Sequence, residues 1–370
     1  MHIPSRFGSL VGQNQRTGVG RVMNRMLVDR RCFVSAAALL LAGTQARHVG
    51  AQGKPEKTRV SIAVAAKASL DCLALTIADS LGYFAAEGLE VEIHDFGGGA
   101  RALQAVVDGS GDVVGGAFEH TINLQGKNQF FRAFVLLGRA PQVALGVCTR
   151  TMPAYKTVPD LKGRKIGVAL PGSVADTVAS LVLMRGGVLP REVSFVEMPS
   201  VSAALAAVRS GQLDAISYTE PLMTMLEHKA DVRIISDTRT LKGTQEVFGG
   251  SMPGACLYAP GDFVQKNPGT VQALANAAVH ALKWLQTAGP SDLIKTVPEA
   301  YLHGDRSLYL ASFNKSREAI AVDGLIPDEG VRTALRAMGR LDTSIKTDKI
   351  DLARTFTNEF ARKAKDKFRA

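Results

Sequence analysis

The sequence predicts an α/β protein built from two similar βαβαβ units, and three observations carry that prediction. The first is composition. A chain of 370 residues with 46% hydrophobic and 21% charged side chains can bury a full-sized core, which excludes a disordered chain, a collagen and a small disulfide scaffold. The second is an internal repeat. Leu103, Ala105, Val106, Gly109 and Asp112 recur in order as Leu205, Ala207, Val208, Gly211 and Asp214, each 102 positions further along. Glu90-Val91 recurs at the same offset as Glu192-Val193. The third is the alternation, within each half, of short β-branched runs with longer stretches of helical period.

Ahead of the first unit lies an address. Asp29-Arg30-Arg31-Cys32-Phe33-Val34-Ser35 places an arginine pair before the apolar run Ala36 to Gly43, and Val49-Gly50-Ala51 supplies small residues suited to signal peptidase. A basic, then apolar, then small-residue order is that of an export signal, and the arginine pair points to its twin-arginine form. The apolar run is about a dozen residues, short of the ~20 that a membrane-spanning helix needs. Residues 1–51 are therefore expected to be a cleaved signal peptide. They hold seven Arg and one Asp, so that of the formal charge of +10 only +4 belongs to the rest. That removes the main ground for a nucleic-acid partner. After cleavage Cys72, Cys148 and Cys256 remain, an odd number without Cys-x-x-Cys spacing. One Cys148–Cys256 bridge and three buried thiols both stay open, and a structural zinc site is not expected.

Within the first unit, Val60 to Ala65 is the expected opening strand, Leu70 to Tyr83 a helix and Val91 to Phe96 a second strand. Leu103, Val106 and Val107 form the stripe of a second helix ended by Gly109, which needs no Cβ at a helix stop. Asp112 then leads into Val113-Val114. The second unit repeats the pattern with Lys165 to Leu170, Ser173 to Arg185, Val193 to Met198, the helix from Leu205 to Val208, and Asp214 to Ser217. Each unit is β-α-β-α-β, which implies parallel strands with right-handed crossovers. The segment after Pro268 has a helical pattern, with Val271 to Trp284 apolar along one face.

Ligands of parallel sheets bind at the carboxyl ends of the strands. Those ends hold Ser69 and Asp71, then Phe96-Gly97-Gly98-Gly99-Ala100-Arg101, then Gly115 to His120 in the first unit. In the second they hold Pro171 to Val174, Pro199 to Ser202, and Ser217-Tyr218-Thr219-Glu220. Glycines, hydroxyls and cap-forming residues suit hydrogen bonding of a polar solute at helix amino termini. No Gly-Lys-Ser/Thr follows the glycines, which excludes a phosphate-binding P-loop, and no catalytic string or metal-ligand spacing is present.

Several of these strings together resemble a known family. Gly82-Tyr83-Phe84, Glu87-Gly88-Leu89-Glu90-Val91, the Phe-Gly-Gly-Gly-Ala turn, Gly109 to Asp112, Val158 to Val168, Gly187-Val188-Leu189 and Gly211 to Ala215 are similar to the nitrate/sulfonate/taurine-type substrate-binding proteins of ABC importers, the SsuA/THI5-like and NMT1-like superfamily. The resemblance covers roughly Val60 to Pro260. It implies a type II periplasmic-binding-protein fold of two lobes joined by two hinge crossovers, placed near Val147 to Met152 and Gly249 to Cys256. Lobe one would then be residues 52–148 and 252–370 with the C-terminal helices, and lobe two residues 149–251.

The resemblance also implies a function. A monomer in the periplasm would capture a small organic solute by hinge closure and deliver it to an ABC permease and its ATPase, touching the membrane only through the permease. No catalytic activity, cofactor or metal is implied. Carried over by position, the solute contacts would be Ser69, Asp71, Gly98, Gly99, Ala100, Gly116, Phe118, Glu119, Ser173, Val174, Tyr218 and Glu220, with Arg139 as a bidentate partner for an anion. Asp71 and Glu119 at the cleft would instead suit an amine, amidine or pyrimidine-like solute. Sulfonates, nitrate-like anions, aromatic carboxylates and pyrimidine-type precursors all stay open. Two alternatives do too: an enzyme like those of thiamine-pyrimidine synthesis, with His120 as a base beside Glu119, and a receptor for a membrane sensor.

Overall fold

The structure, a computed structural model, describes residues 54–370; the expected signal segment lies outside them. The chain runs through β1 (Arg59–Val64), β2 (Glu90–Asp95), β3 (Val113–Ala117), β4 (Phe131–Leu136) and β5 (Val143–Cys148). It continues through β6 (Lys165–Val168), β7 (Ser194–Glu197), β8 (Ala215–Thr219), β9 (Val232–Asp237) and β10 (Ala255–Pro260). Two five-stranded sheets result, in the orders β2-β1-β3-β10-β4 and β7-β6-β8-β5-β9. In each, three strands of one unit run parallel, and the strand that has just crossed from the other sheet inserts antiparallel beside them. Both inserted strands are apolar and buried along nearly their whole length, as a central position demands.

The helices that build the site are α1 (Leu73–Ser80), α2 (Gly99–Val107), α3 (Glu119–Gly126), α4 (Val174–Arg185), α5 (Val201–Ser210), α6 (Leu222–His228) and α7 (Leu241–Phe248). The C-terminal region adds α8 (Pro268–Thr287), α9 (Arg306–Ser316), α10 (Asp328–Leu341) and α11 (Glu359–Phe368). The repeat has a visible structural cause. Gly109 and Gly211 close α2 and α5 with φ of +79° and +80°, where a Cβ would be strained. Three residues on, Asp112 accepts the Ser61 amide at 3.0 Å and Asp214 accepts the Lys165 amide at 3.0 Å. In return the Asp112 and Asp214 amides donate to the carbonyls of Ser61 and Lys165, at 3.1 and 2.9 Å. Each aspartate thus clips the third strand of its unit to the first.

The sheets correct the expected lobe boundaries. β5 belongs to the second sheet, so the first crossover is residues 137–142, upstream of Val147 to Met152. The return runs from 238 to 254 and includes α7. The two crossovers lie side by side: Thr238 donates its amide to Val143 at 2.8 Å, and Gly254 donates to Gly138 at 2.8 Å. The sequence does not mark this boundary, because β5 has no counterpart at the repeat's offset to show where it starts. Helix α8 packs against α1, α11 and β4, on the first sheet, in line with its apolar face. Helices α9 and α10 do not stay with that lobe. The first touches α6, and the second lies against α3 of one lobe, α4 of the other and α7 of the return crossover.

Candidate functional site

The carboxyl ends of both sets of parallel strands face one cavity of about 540 Å³, within the size range of small-solute sites. Four helices begin at its wall: α2 at Gly99, α3 at Glu119, α4 at Val174 and α5 at Val201. Each brings unpaired amide groups and the positive end of its dipole. Local caps hold these ends in place. Ser173 caps α4, accepting from the Asp176 amide at 3.4 Å, and Asp176 accepts from Gly172 at 2.7 Å. Ser200 caps α5 through the Ala203 amide at 3.1 Å. Asp95, at the end of β2, accepts from the amides of Lys67 at 3.0 Å and Gly97 at 2.9 Å, tying two wall loops together.

The two lobes touch across the rim of the cavity. Ser69 donates to the Thr219 hydroxyl at 3.4 Å from the opposite lobe, and Arg101 pairs with Glu197 at 3.0 Å. The Cβ position of Gly98 lies 3.5 Å from the Leu170 side chain, so this glycine lets the two rims approach.

Residues 70–289, more than half of the sequence, match the family described as NMT1/THI5 like. The chain belongs to that family. It is similar to a solved protein of Bordetella bronchiseptica RB50, at 51% identity and a TM-score of 0.83, over 86% of this chain and 100% of that one. It is also similar to the alkanesulfonate-binding protein SsuA of Xanthomonas axonopodis pv. citri bound to MOPS, at 18% identity and a TM-score of 0.65, over 82% and 99% of the two chains. A third likeness is to the periplasmic nitrate-binding protein NrtA of Synechocystis PCC 6803, at 16% identity and a TM-score of 0.65, over 85% and 89%. The fold is thus the type II periplasmic-binding-protein fold that the sequence resemblance implied.

Family membership does not decide which side chains meet a solute, and the geometry redistributes the candidates. Ser69, Asp71, Gly98, Gly99, Gly116, Ser173, Val174, Tyr218 and Glu220 line the cavity. Ala100, Phe118, Glu119 and Arg139 do not. Ala100 falls inside the first turn of α2, past the glycine edge. Phe118 is fully buried and packs edge-on against Phe356, as an apolar ring beside a sheet end tends to. Arg139 sits in the first crossover, donates its Nε to the Glu318 carbonyl at 2.6 Å, and lines a separate cavity with Leu241 and Met252. The bidentate anion partner is therefore not at the cleft.

The neighbours Glu119 and His120 exchange places. Because α3 starts at Glu119, successive side chains turn by about 100°. Glu119 points into the body beside Cys256 and Tyr258, and burial pushes its carboxyl up to about 7. His120 faces the cavity instead, with Nδ1 2.7 Å from the Tyr258 hydroxyl, and burial lowers its pKa to about 4. Asp71 reaches the wall from the turn before α1, where burial raises its carboxyl above the usual range. Glu220 also reaches the wall, but its oxygens are taken by the amide and hydroxyl of Thr224, at 3.0 and 2.8 Å, and by Arg239. Burial works against the charge of Arg239, yet the hydrogen bond to Asp237 and the charge of Glu220 hold its pKa above the ordinary value. Tyr218 donates to the Met198 carbonyl at 3.1 Å and offers the cavity its ring.

Sequence reasoning missed Asp95, Met225, Gly254 and His303 at the wall. Asp95 had a local sign, an acid just before a glycine turn. His303 had none, since it arrives from the C-terminal region more than 80 residues beyond the second unit. Cys72, Cys148 and Cys256 are free and buried, so no Cys148–Cys256 bridge forms. Among the described residues no cluster of His, Cys, Asp and Glu is arranged for a metal ion, and no helix is long and apolar enough to cross a membrane.

Proposed function

We propose that this protein is the solute-capturing component of an ABC import system, exported to the periplasm, closing two lobes over a small organic molecule. One observation carries the reading. A cavity of about 540 Å³ is walled by both lobes at the strand ends of two repeated parallel units, beside paired crossovers that can act as a hinge. The family and the printed functions of SsuA and NrtA support it, as binding proteins of sulfonate and nitrate. The wall offers hydrogen-bonding groups rather than an activated nucleophile. The thiols of Cys72, Cys148 and Cys256 are buried, and burial raises all three above the ordinary thiol range. Nδ1 of His120 is engaged by Tyr258, which leaves it poorly placed as a base beside Glu119.

A thermal-shift screen against small solutes tests this. A ligand that binds only the native state raises the melting temperature in proportion to the logarithm of its concentration. We expect at least one small organic solute to do so, and to be recovered unchanged after long incubation. Conversion of that solute to a product would replace the capture reading by the enzymatic one.

A further inference from the structure

The first sheet has a second cavity, of about 590 Å³, at its edge strand β4. Strand β4 runs parallel to β1, β2 and β3, because it and β3 both pair antiparallel with β10. The cavity takes Phe130 and Arg132 from the start of β4, and Gly261 from just past the end of β10. It therefore lies at the amino ends of the parallel strands, the pole of the lobe that faces away from the solute cleft. No residue lines both cavities.

Two guanidinium groups stand in this cavity, and each is already oriented. Arg132 donates Nε to the Phe356 carbonyl at 3.1 Å, which leaves its two Nη groups for a ligand. Arg354 lies over the Phe130 ring, 3.5 Å from its centre, a stack that fixes the guanidinium plane and leaves its N–H edge open. The segment carrying Arg354 is itself clipped to β4. Ala133 donates its amide to the Thr355 carbonyl at 2.9 Å, and Thr357 donates to the Ala133 carbonyl at 2.8 Å. Neither guanidinium is paired with a carboxylate, because the two acids of the lining are engaged elsewhere. Asp262 pairs with Lys266 at 3.1 Å and Glu359 with Lys363 at 2.7 Å. Two positive charges are thus left uncompensated. Val264 and Phe360, both buried, give the same cavity an apolar floor.

We propose that this cavity is a second binding site, for a small organic dianion such as a phosphate monoester or a dicarboxylate. Each guanidinium fork matches the edge of a carboxylate or phosphate through paired, charge-assisted hydrogen bonds. Two forks match two negative charges. The volume exceeds what a bare phosphate ion fills, and the apolar floor suits the carbon skeleton of the ligand. The site belongs to one lobe alone, so its occupancy needs no closure of the cleft and does not rest on the capture reading.

The purified full chain is titrated by calorimetry with phenyl phosphate, glycerol 3-phosphate and phthalate. Phenol, glycerol and benzoate serve as their neutral or singly charged counterparts. At least one dianion is expected to bind, about tenfold or more tighter than its counterpart. Arg354→Gln should weaken that probe about tenfold or more. Arg354 is exposed, so the melting temperature of this variant should stay that of the parent. Arg132→Lys, which keeps the charge and loses the fork, should weaken the probe several-fold. Amide NMR of the parent should place the probe's shifts at Gly261, Ala353 and Thr357. An unchanged Kd in both variants, or shifts confined to the cleft around Ser173 and Ser200, would put the dianion elsewhere and overturn the site. Equal binding of dianions and counterparts, or no binding of any dianion at millimolar concentration, overturns it as well. None of these outcomes bears on solute capture.

Discussion

At the scale of single residues, Glu119 and His120 show what one position along a helix decides. They are neighbours at the start of α3, both buried, yet burial moves their pKa values in opposite senses, to about 7 and about 4. Glu119 keeps its proton in the folded state from about pH 4.5, where the unfolded chain loses it, up to about 7. The folded state binds more protons there, so stability falls as pH rises through that window. His120 is neutral when folded and protonated when unfolded between about 4 and 6.5, so its contribution rises with pH over nearly the same range. Each shift is worth about 3 kcal/mol, and the two largely offset one another. Glu119→Gln removes one partner of that balance. The variant should match the parent near pH 4 and exceed it by up to about 3 kcal/mol at pH 7.5 and above, as read from urea unfolding at each pH. A difference that stays constant across pH would show Glu119 ionised in the fold. Tyr258 is fully buried, and its hydroxyl is satisfied as a donor to His120 Nδ1, which puts the imidazole hydrogen on Nε2. That assignment has its own signature. Nitrogen NMR of the imidazole should show the Nε2–H tautomer in the parent and a mixture in Tyr258→Phe. None of this was legible in the sequence, where Gly115 to His120 is a glycine-rich strand end and the first residue of α3 is unmarked by a cap.

At the scale of elements, much more was legible, and the reason is local. The 102-residue repeat reports a helix stop and a strand clip that each unit makes within itself: Gly109 with Asp112, and Gly211 with Asp214. Such pieces need only neighbours in sequence and one nearby strand, so spacing reveals them. Both clips hold a strand amide, and Asp112 also accepts from the Ser61 hydroxyl at 3.2 Å and pairs with Lys57, so removing Asp112 should cost at least as much as removing Asp214. Asp112→Ala and Asp214→Ala each leave a strand amide without its acceptor, and we expect a loss of about 1–3 kcal/mol in urea unfolding. A large loss at one site and none at the other would mean that only one clip bears on folding. The inserted strands were not legible. β5 and β10 pair antiparallel with strands of the opposite unit, and their neighbours are fixed by the crossovers rather than by any periodicity of their own. That is why the sequence puts the first hinge several residues late and puts Arg139, which lies in the crossover, at the cleft.

At the scale of the whole molecule, charge sits at two places that bear on closure. One is the foot of the hinge, where Arg239, 1% exposed, joins Glu220 of the cavity wall, Asp237 of β9 and Glu227 of α6, and Glu227 also meets Lys315 of α9. Removing only the cation strands Glu220 in the core, at a typical cost of about 3–5 kcal/mol. Arg239→Met should show that loss in urea unfolding, and adding Glu220→Gln should recover most of it. The other place is the mouth of the cleft. Arg101 and Glu197 pair across it with side chains 52% and 40% exposed, so solvent and salt limit what the pair contributes. A pair of this kind is worth at most about 1 kcal/mol, or roughly a fivefold change in a binding constant. Since it forms only between lobes, that energy belongs to the closed state and should appear in solute affinity rather than in global stability. Arg101→Glu should therefore weaken a bound solute by about fivefold or more at low salt, because like charges then face each other, with little change in melting temperature of the free protein. Restoring the pair in reverse, Arg101→Glu with Glu197→Arg, should return affinity close to that of the parent, and the whole effect should shrink in 0.5 M salt. Equal affinity in the single and double variants would place the pair outside the closing motion, and closure would then rest on the Ser69–Thr219 contact and the solute itself.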